Sequence, residues 1–143
     1  MHLMSENNTK ENRRETMKSV KSETDTLVSK VTTELSSQGI SFKKNVEDLP
    51  GKPDIAIKNL KLVIFIDSCF WHGCKLHCEI PSTNTDFWHD RIKRNQKKDE
   101  EINDYYINNG WIVIRIWEHD INNKFEETID NILTTIEELK NNT

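Results

Sequence analysis

Pro53 to Cys78 reads PDIAIKNLKLVIFIDSCFWHGCKLHC, and this stretch decides the fold. It opens on a Pro-Asp pair. Asp54 to Ile57 alternates polar and apolar, and Lys58-Asn59 turns the chain. Leu60 to Ile66 is then a run of apolar, largely β-branched residues of strand length, which predicts a buried central strand. The two segments predict a hairpin with Asp54 and Asp67 at one end, so residues far apart in sequence meet across a strand pair. Cys69, Phe70, Trp71, His72, Cys74, His77 and Cys78 follow within ten residues, and they include all three cysteines and two of the five histidines of the chain.

That crowding carries chemistry. Two carboxylates at strand ends suit a hard divalent cation such as Mg²⁺, which takes one or two carboxylates and fills its remaining positions with water and phosphate. Asp54 and Asp67 fit this role, and the Ile66 backbone carbonyl can add a ligand. His72, five residues after Asp67, has the chemistry of a general base or a water-orienting group. Cys69-x₄-Cys74-x₂-His77 offers three ligands for a tetrahedral zinc, with His119 as the fourth from the end of a later strand. Cys78 is the alternative to His77. Either aspartate alone is an ordinary loop residue, and buried cysteines alone are small apolar fillers. Their concentration in one segment favours metal chemistry.

Outward from this centre the pattern is α/β. Residues 1–16 are polar without periodicity and read as a disordered leader. Residues 17–143 read as one domain. Leu27, Val28, Val31 and Leu35 recur at helical spacing from about Thr24, and Gly39 is a stop signal. Ile40 to Lys44 reads as a short strand, and Asn45 to Pro53 as a loop. Thr85 to Asn108 predicts a long charged helix ended by Asn109-Gly110. Trp111 to Trp117 is a strand whose Ile112, Ile114 and Ile116 form a face that must be buried. Arg115 interrupts the opposite face, with a side chain long enough to carry its charge out to water. A final helix runs from Lys124 to Leu139. The sum is a small mixed sheet with helices on both sides.

The 143 residues suit one domain, and no apolar run is long enough to span a bilayer. The N-terminus lacks a signal-peptide core, so a cytoplasmic protein is expected. Clustered cysteines in a reducing compartment point to metal rather than disulfide. The net charge of −4 counts against nucleic-acid binding, yet Arg91, Lys93, Arg94, Lys97 and Lys98 concentrate basic charge on one helix.

The Pro53-Asp54 pair, Phe70-Trp71-His72 and Trp117-Glu118-His119 closely resemble the very short patch repair (Vsr) family of DNA mismatch endonucleases. The resemblance runs from about Met17 to His119. It implies a restriction-endonuclease-like fold with a zinc-stabilised loop. It also implies Mg²⁺-dependent nicking of double-stranded DNA on the 5′ side of a mismatched thymine, leaving a 5′-phosphate and a 3′-hydroxyl. The implied catalytic set is Asp54, Asp67 and His72, with Asp99 orienting the histidine. The zinc ligand after the Trp-Glu pair falls on His119. Phe70, Trp71 and Trp88 match three aromatics that wedge beside a T·G pair, and Lys93, Arg94, Lys97 and Lys98 would contact phosphates. The implied setting is mismatch repair or the company of a DNA methyltransferase, and a monomer is expected. The lysine usual after the second acid of restriction-type nucleases is absent, since Ser68-Cys69 follow Asp67. In the family, histidine serves instead. A glutamate on the family's first helix falls on Val28 by an ungapped count back from Gly39, with Glu23 and Asp25 about a turn away. Two other readings remain: a restriction-type enzyme cutting matched duplex, and a zinc-stabilised DNA-binding module that no longer cuts.

Overall fold

A computed structural model describes residues 2–75, 78 and 80–142, with side chains described from Asn12 onward. The β2–β3 hairpin forms as its sequence requires. β2, Ile55–Ile57, runs antiparallel to β3, Leu62–Asp67, with Ile55 opposite Ile64 and Ile57 opposite Leu62. A single 3₁₀ turn, Lys58–Leu60, joins them and ends on Lys61 in the left-handed region (φ 52°), so β3 starts two residues later than expected. β1, Lys43–Lys44, pairs antiparallel with β2 and is shorter than the Ile40–Lys44 strand expected. β4, Ile112–Trp117, lies parallel to β3, giving a mixed sheet in the order β1-β2-β3-β4.

Helices cover both faces. α1, His2–Ser37, packs Leu27, Val28, Val31 and Leu35 onto the face formed by Ile55, Ile57, Leu62, Ile64, Ile66 and Ile116. α3, Glu118–Asn123, and α4, Phe125–Asn141, complete that layer with Ile121, Ile129, Ile132 and Ile136. α2, Thr85–Asn108, covers the other face, where Ala56, Val63 and Phe65 meet Tyr106 and Val46. Every residue of β3 is therefore buried, as expected of a strand covered on both sides.

Three expectations are corrected. Residues 2–16 of the assigned leader are helical, because α1 starts at His2 rather than near Thr24. No glycine or proline precedes Gly39, and charged and polar residues can sustain a helix without an apolar stripe. The stop at Gly39 holds. Its φ of +79° lets the Ile40 N–H reach the Leu35 carbonyl (3.0 Å) and its own N–H the Ser36 carbonyl (3.0 Å), which is the Schellman pattern. The Ile112, Ile114 and Ile116 face is not uniformly buried. Ile116 is, but Ile112 is 39% exposed, because β4 is an edge strand. Arg115 turns inward rather than out to water, as described below. No helix among the described residues is long and apolar enough to cross a membrane.

Candidate active site and metal centre

Strand parity gathers the polar groups. Asp67 lies on the face of β3 that Val63 and Phe65 occupy, and Asp54 has the parity of Ala56 on β2, so both aspartates belong to the α2 side. The parallel register places Arg115 opposite Phe65, on that same side. The Asp54 Oδ2 accepts the Ile66 N–H at 2.7 Å, which clips the open end of the hairpin. Asp67, 5% exposed, accepts a hydrogen bond from Arg115 Nη1 at 2.9 Å through Oδ1. His72 Nε2 stands 3.6 Å from that same oxygen, and His72 Nδ1 is hydrogen-bonded to Asp99 Oδ2 on α2. One ligand atom from each of Asp67, His72 and Asp99 falls within a common span of 4.8 Å.

Three of the four residues expected to be catalytic thus form one cluster. Asp54 adjoins it through the Ile66 amide rather than joining it. Val28 is in the core, 6% exposed, while Asp25 is near enough for its charge to act on Asp54. Burial pushes the Asp54 carboxyl above its ordinary range, the Ile66 N–H opposes the rise, and the like charges of Asp67 and Asp25 add to it. Burial also raises Asp67, against the pull of His72 and Arg115.

The loop that delivers His72 is tied to α2. Gln96 donates to the His72 carbonyl (3.2 Å), Asn95 to the Trp71 carbonyl (3.2 Å), and the Ser68 hydroxyl accepts the Trp71 N–H (2.9 Å). Gly73, at φ +64°, has no room for a side chain. A Cβ there would lie 2.8 Å from Ile92 Cγ2 and closer still to the Gln96 amide.

Arg115 was missed by sequence reasoning. Its guanidinium lies 4.4 Å from the centre of the Phe65 ring, Nε donates to Asn103 Oδ1 (2.7 Å), and Nη1 stands 3.6 Å from Asp99 Oδ1. The available signal was a charge inside an otherwise apolar strand. Reading it correctly needed the parallel register with β3.

A second cluster abuts the first. Cys69 and Cys74, 4% and 5% exposed, place Sγ atoms 3.4 and 3.6 Å from His119 Nδ1. Bonds of about 2.3 Å to sulfur and 2.0–2.1 Å to nitrogen at tetrahedral angles imply a ligand-to-ligand edge of about 3.6 Å. The spacing therefore fits a zinc ion. His119 Nε2, 3.5 Å from Asp120 Oδ1, has the outer carboxylate partner common for a metal-bound histidine. Cys69 N–H donates to Glu118 Oε1 (3.0 Å), which fastens the loop to the end of β4. Burial drives the Cys69 thiol up to about 12, with the neighbouring Cys74 and Glu118 adding to the rise. His77 lies outside the described residues. Cys78 is not part of the group, and its thiol donates to the Phe70 carbonyl at 3.6 Å.

The aromatics expected to wedge into DNA form one cluster. Phe70 packs edge-on against Trp71 and Trp88, with both centroid distances 5.2 Å. Phe70 and Trp71 are half-buried. Trp88, by contrast, is 1% exposed and supports the other two rings instead of facing solvent. Arg91 lies over Trp71 at 5.3 Å, and Lys93, Arg94, Lys97 and Lys98 are exposed along α2.

Residues 5–79, just over half of the chain, match the family described as DNA mismatch endonuclease Vsr. A type II nicking enzyme of Xanthomonas oryzae pv. oryzae is 32% identical over 127 residues, covering 86% of this chain and 93% of that protein. A type II nicking enzyme of Haemophilus parainfluenzae is 39% identical over 58% of this chain and 60% of its own length. The DNA mismatch endonuclease Vsr of Escherichia coli (strain K12) is 34% identical over 70% of this chain and 64% of its own. Against the Haemophilus parainfluenzae and Lentzea aerocolonigenes nicking enzymes, the chain spans 60% and 52% of the relative's length.

Proposed function

Because this chain belongs to the Vsr family of DNA mismatch endonucleases, we propose that it nicks one strand of duplex DNA on the 5′ side of the thymine of a T·G pair. The observation that carries this reading is the Asp67–His72–Asp99 cluster beside Asp54.

The chemistry follows from the residues. Asp99 is a carboxylate and can only accept, so His72 donates from Nδ1 and keeps Nε2 as the basic atom. Nε2 takes the proton of the attacking water. The water oxygen then bonds to phosphorus, the P–O3′ bond breaks, and the leaving O3′ takes a proton from solvent water, leaving a 5′-phosphate and a 3′-hydroxyl. Asp54, half-buried, and Asp67, buried, would hold Mg²⁺, which when bound supplies charge neutralisation at the phosphate and a more acidic water. Cys69, Cys74 and His119, with His77 or Cys78, would hold a structural zinc. Phe70 and Trp71 are placed to enter the base stack, and the α2 lysines and arginines to hold phosphates, which position but do not read sequence.

The test is a nicking assay with Mg²⁺ and end-labelled duplexes. Cleavage of the T·G duplex alone supports the reading. The burial of Trp88 favours one competitor, cutting of matched duplex by the same site, and equal cleavage of both substrates would establish it. Binding without cleavage across several sequence contexts would leave a DNA-binding module.

Gly73→Ala probes the placement of His72. Alanine at φ +64° is strained, and its methyl must displace Ile92 or the Gln96 amide that holds the His72 carbonyl. A shift of about 1 Å in a catalytic group can cost about a hundredfold in rate. The variant is expected to lose at least about tenfold in kcat with duplex binding retained. Wild-type turnover would show that the loop does not hold His72 through Gly73.

A further inference from the structure

Arg115 breaks a local rule. It sits on β4 opposite Phe65, on the side of the sheet where Val63 and Tyr106 are buried and an apolar residue would pack without penalty. Its Nη2 is buried and has no hydrogen-bond partner among the described residues. A buried ion pair is weak support for a fold, and apolar replacements are often neutral or stabilising. Departures from the local rule of this kind concentrate at functional sites.

The contacts of Arg115 close a ring. Nη1 binds Asp67 Oδ1 (2.9 Å) and faces Asp99 Oδ1 (3.6 Å). Asp99 gives its other oxygen to His72 Nδ1, and His72 Nε2 looks back at Asp67 Oδ1 (3.6 Å). Nε is anchored on Asn103 (2.7 Å). Two carboxylates that repel each other are thereby held on opposite sides of one imidazole by a single fixed cation. The lysine of restriction-type nucleases has no counterpart after Asp67, and the fixed positive charge at this end of the sheet comes from the neighbouring strand.

We propose that Arg115 is a positioning residue for His72: by gripping Asp67 and Asp99 together, it keeps Asp99 on Nδ1 and Nε2 turned toward the reacting atoms. The proposal rests on the endonuclease reading for its kinetic consequence, but its structural consequence can be read without cleavage.

The experiment compares zinc-loaded, Mg²⁺-free wild type with Arg115→Gln, Arg115→Lys and Asn103→Ala. Imidazole ¹⁵N NMR above the histidine titration range reads the His72 tautomer, with His72→Gln giving the assignment. Steady-state nicking and thermal melting accompany it. Wild type is expected to show the single Nδ1–H tautomer. Arg115→Gln is expected to show a mixture and a kcat lower by about thirtyfold, within the usual reach of a general base, while KM stays within about threefold. Arg115→Lys is expected to recover the rate to within about fivefold, since it keeps the charge but loses the fork.

A tautomer and a rate that stay wild-type in Arg115→Gln would overturn the proposal, as would a change in either without the other. If Arg115→Gln does not fold, Asn103→Ala decides. Loss of the Nε anchor should mix the tautomers and lower kcat about fivefold, and wild-type behaviour in both overturns the proposal. If wild type cleaves no duplex, the endonuclease reading fails and the tautomer comparison alone settles the positioning role.

Discussion

Asp54→Asn is expected to lose strand cleavage by about a thousandfold or more, and yet to melt at a higher temperature than wild type in metal-free buffer. The two outcomes share a cause. Asp54 is half-buried, and its partial loss of water holds its carboxyl above the ordinary range in the folded state. The folded protein therefore binds that proton more tightly than the unfolded chain does. The stability that comes from the protonated form is full below the unfolded value and is lost as pH rises through the folded one. At neutral pH the ionised carboxylate, with Asp67 and Asp25 as like-charged neighbours, is a burden on folding. An asparagine oxygen can still accept the Ile66 N–H that Oδ2 now takes at 2.7 Å, so the charge goes and the clip stays. The gain should be a few degrees in Tm at pH 7 and should shrink toward acid pH, where wild type is neutral as well. Added Mg²⁺ should raise the Tm of wild type by binding the folded form and leave the asparagine variant nearly unmoved. A lower Tm for the variant at pH 7 would count against the burial argument. Residual cleavage above about a tenth of wild type would remove Asp54 from the reaction.

The second large effect concerns zinc. Purified protein is expected to carry about one zinc per chain, and Cys74→Ser or exhaustive chelation to lower the Tm by 10 °C or more while abolishing cleavage, since structural zinc binding is itself folding free energy. Residues 69–75 carry turns and no helix or strand, and His72 lies between Cys69 and Cys74 in sequence. Loss of the ion would leave buried thiols, one of them driven up to about 12, with nothing to draw them together around His119. Because binding releases thiol protons, the ion should also be lost as pH falls. Zn²⁺ should restore both melting and cleavage, whereas Mg²⁺ should restore neither. A protein with no bound zinc, whose Cys74→Ser variant melts like wild type, would make these cysteines ordinary core residues.

How far the sequence foretells this arrangement depends on the range of the interaction. That Asp54 and Asp67 share one face of the sheet was legible, because one hairpin carries both and period-two parity sets the face. α2, Thr85–Asn108, was legible through its composition and the Asn109-Gly110 stop. The Cys69–Cys74–His119 group was legible from ligand spacing and the Vsr resemblance. The first half of α1 was not, since it has no apolar stripe to announce a helix. Arg115 was misread because its partner Asp67 lies across a parallel pairing, and nothing in the local pattern of β4 distinguishes an arginine reaching water from one reaching a carboxylate. The burial of Trp88 depends on how the surrounding elements close around its ring, which spacing along α2 does not reveal.

The parallel seam between β3 and β4 also bears on the order in which the candidate site is assembled. Arg115 and Asp67 are 48 residues apart, and Cys69 and His119 are 50 apart. Both links wait on closure of the long crossover through α2, and loops of that length close late in folding. A chain emerging from the ribosome can make the β2–β3 hairpin, with Asp54 and Asp67 already on one face, well before Trp117 and His119 exist. Until β4 docks, that hairpin lacks Arg115 on Asp67 and His119 beside Cys69. If the proposed site cuts DNA, its assembly waits on completion of the fold, and a half-made copy would be inert by topology alone.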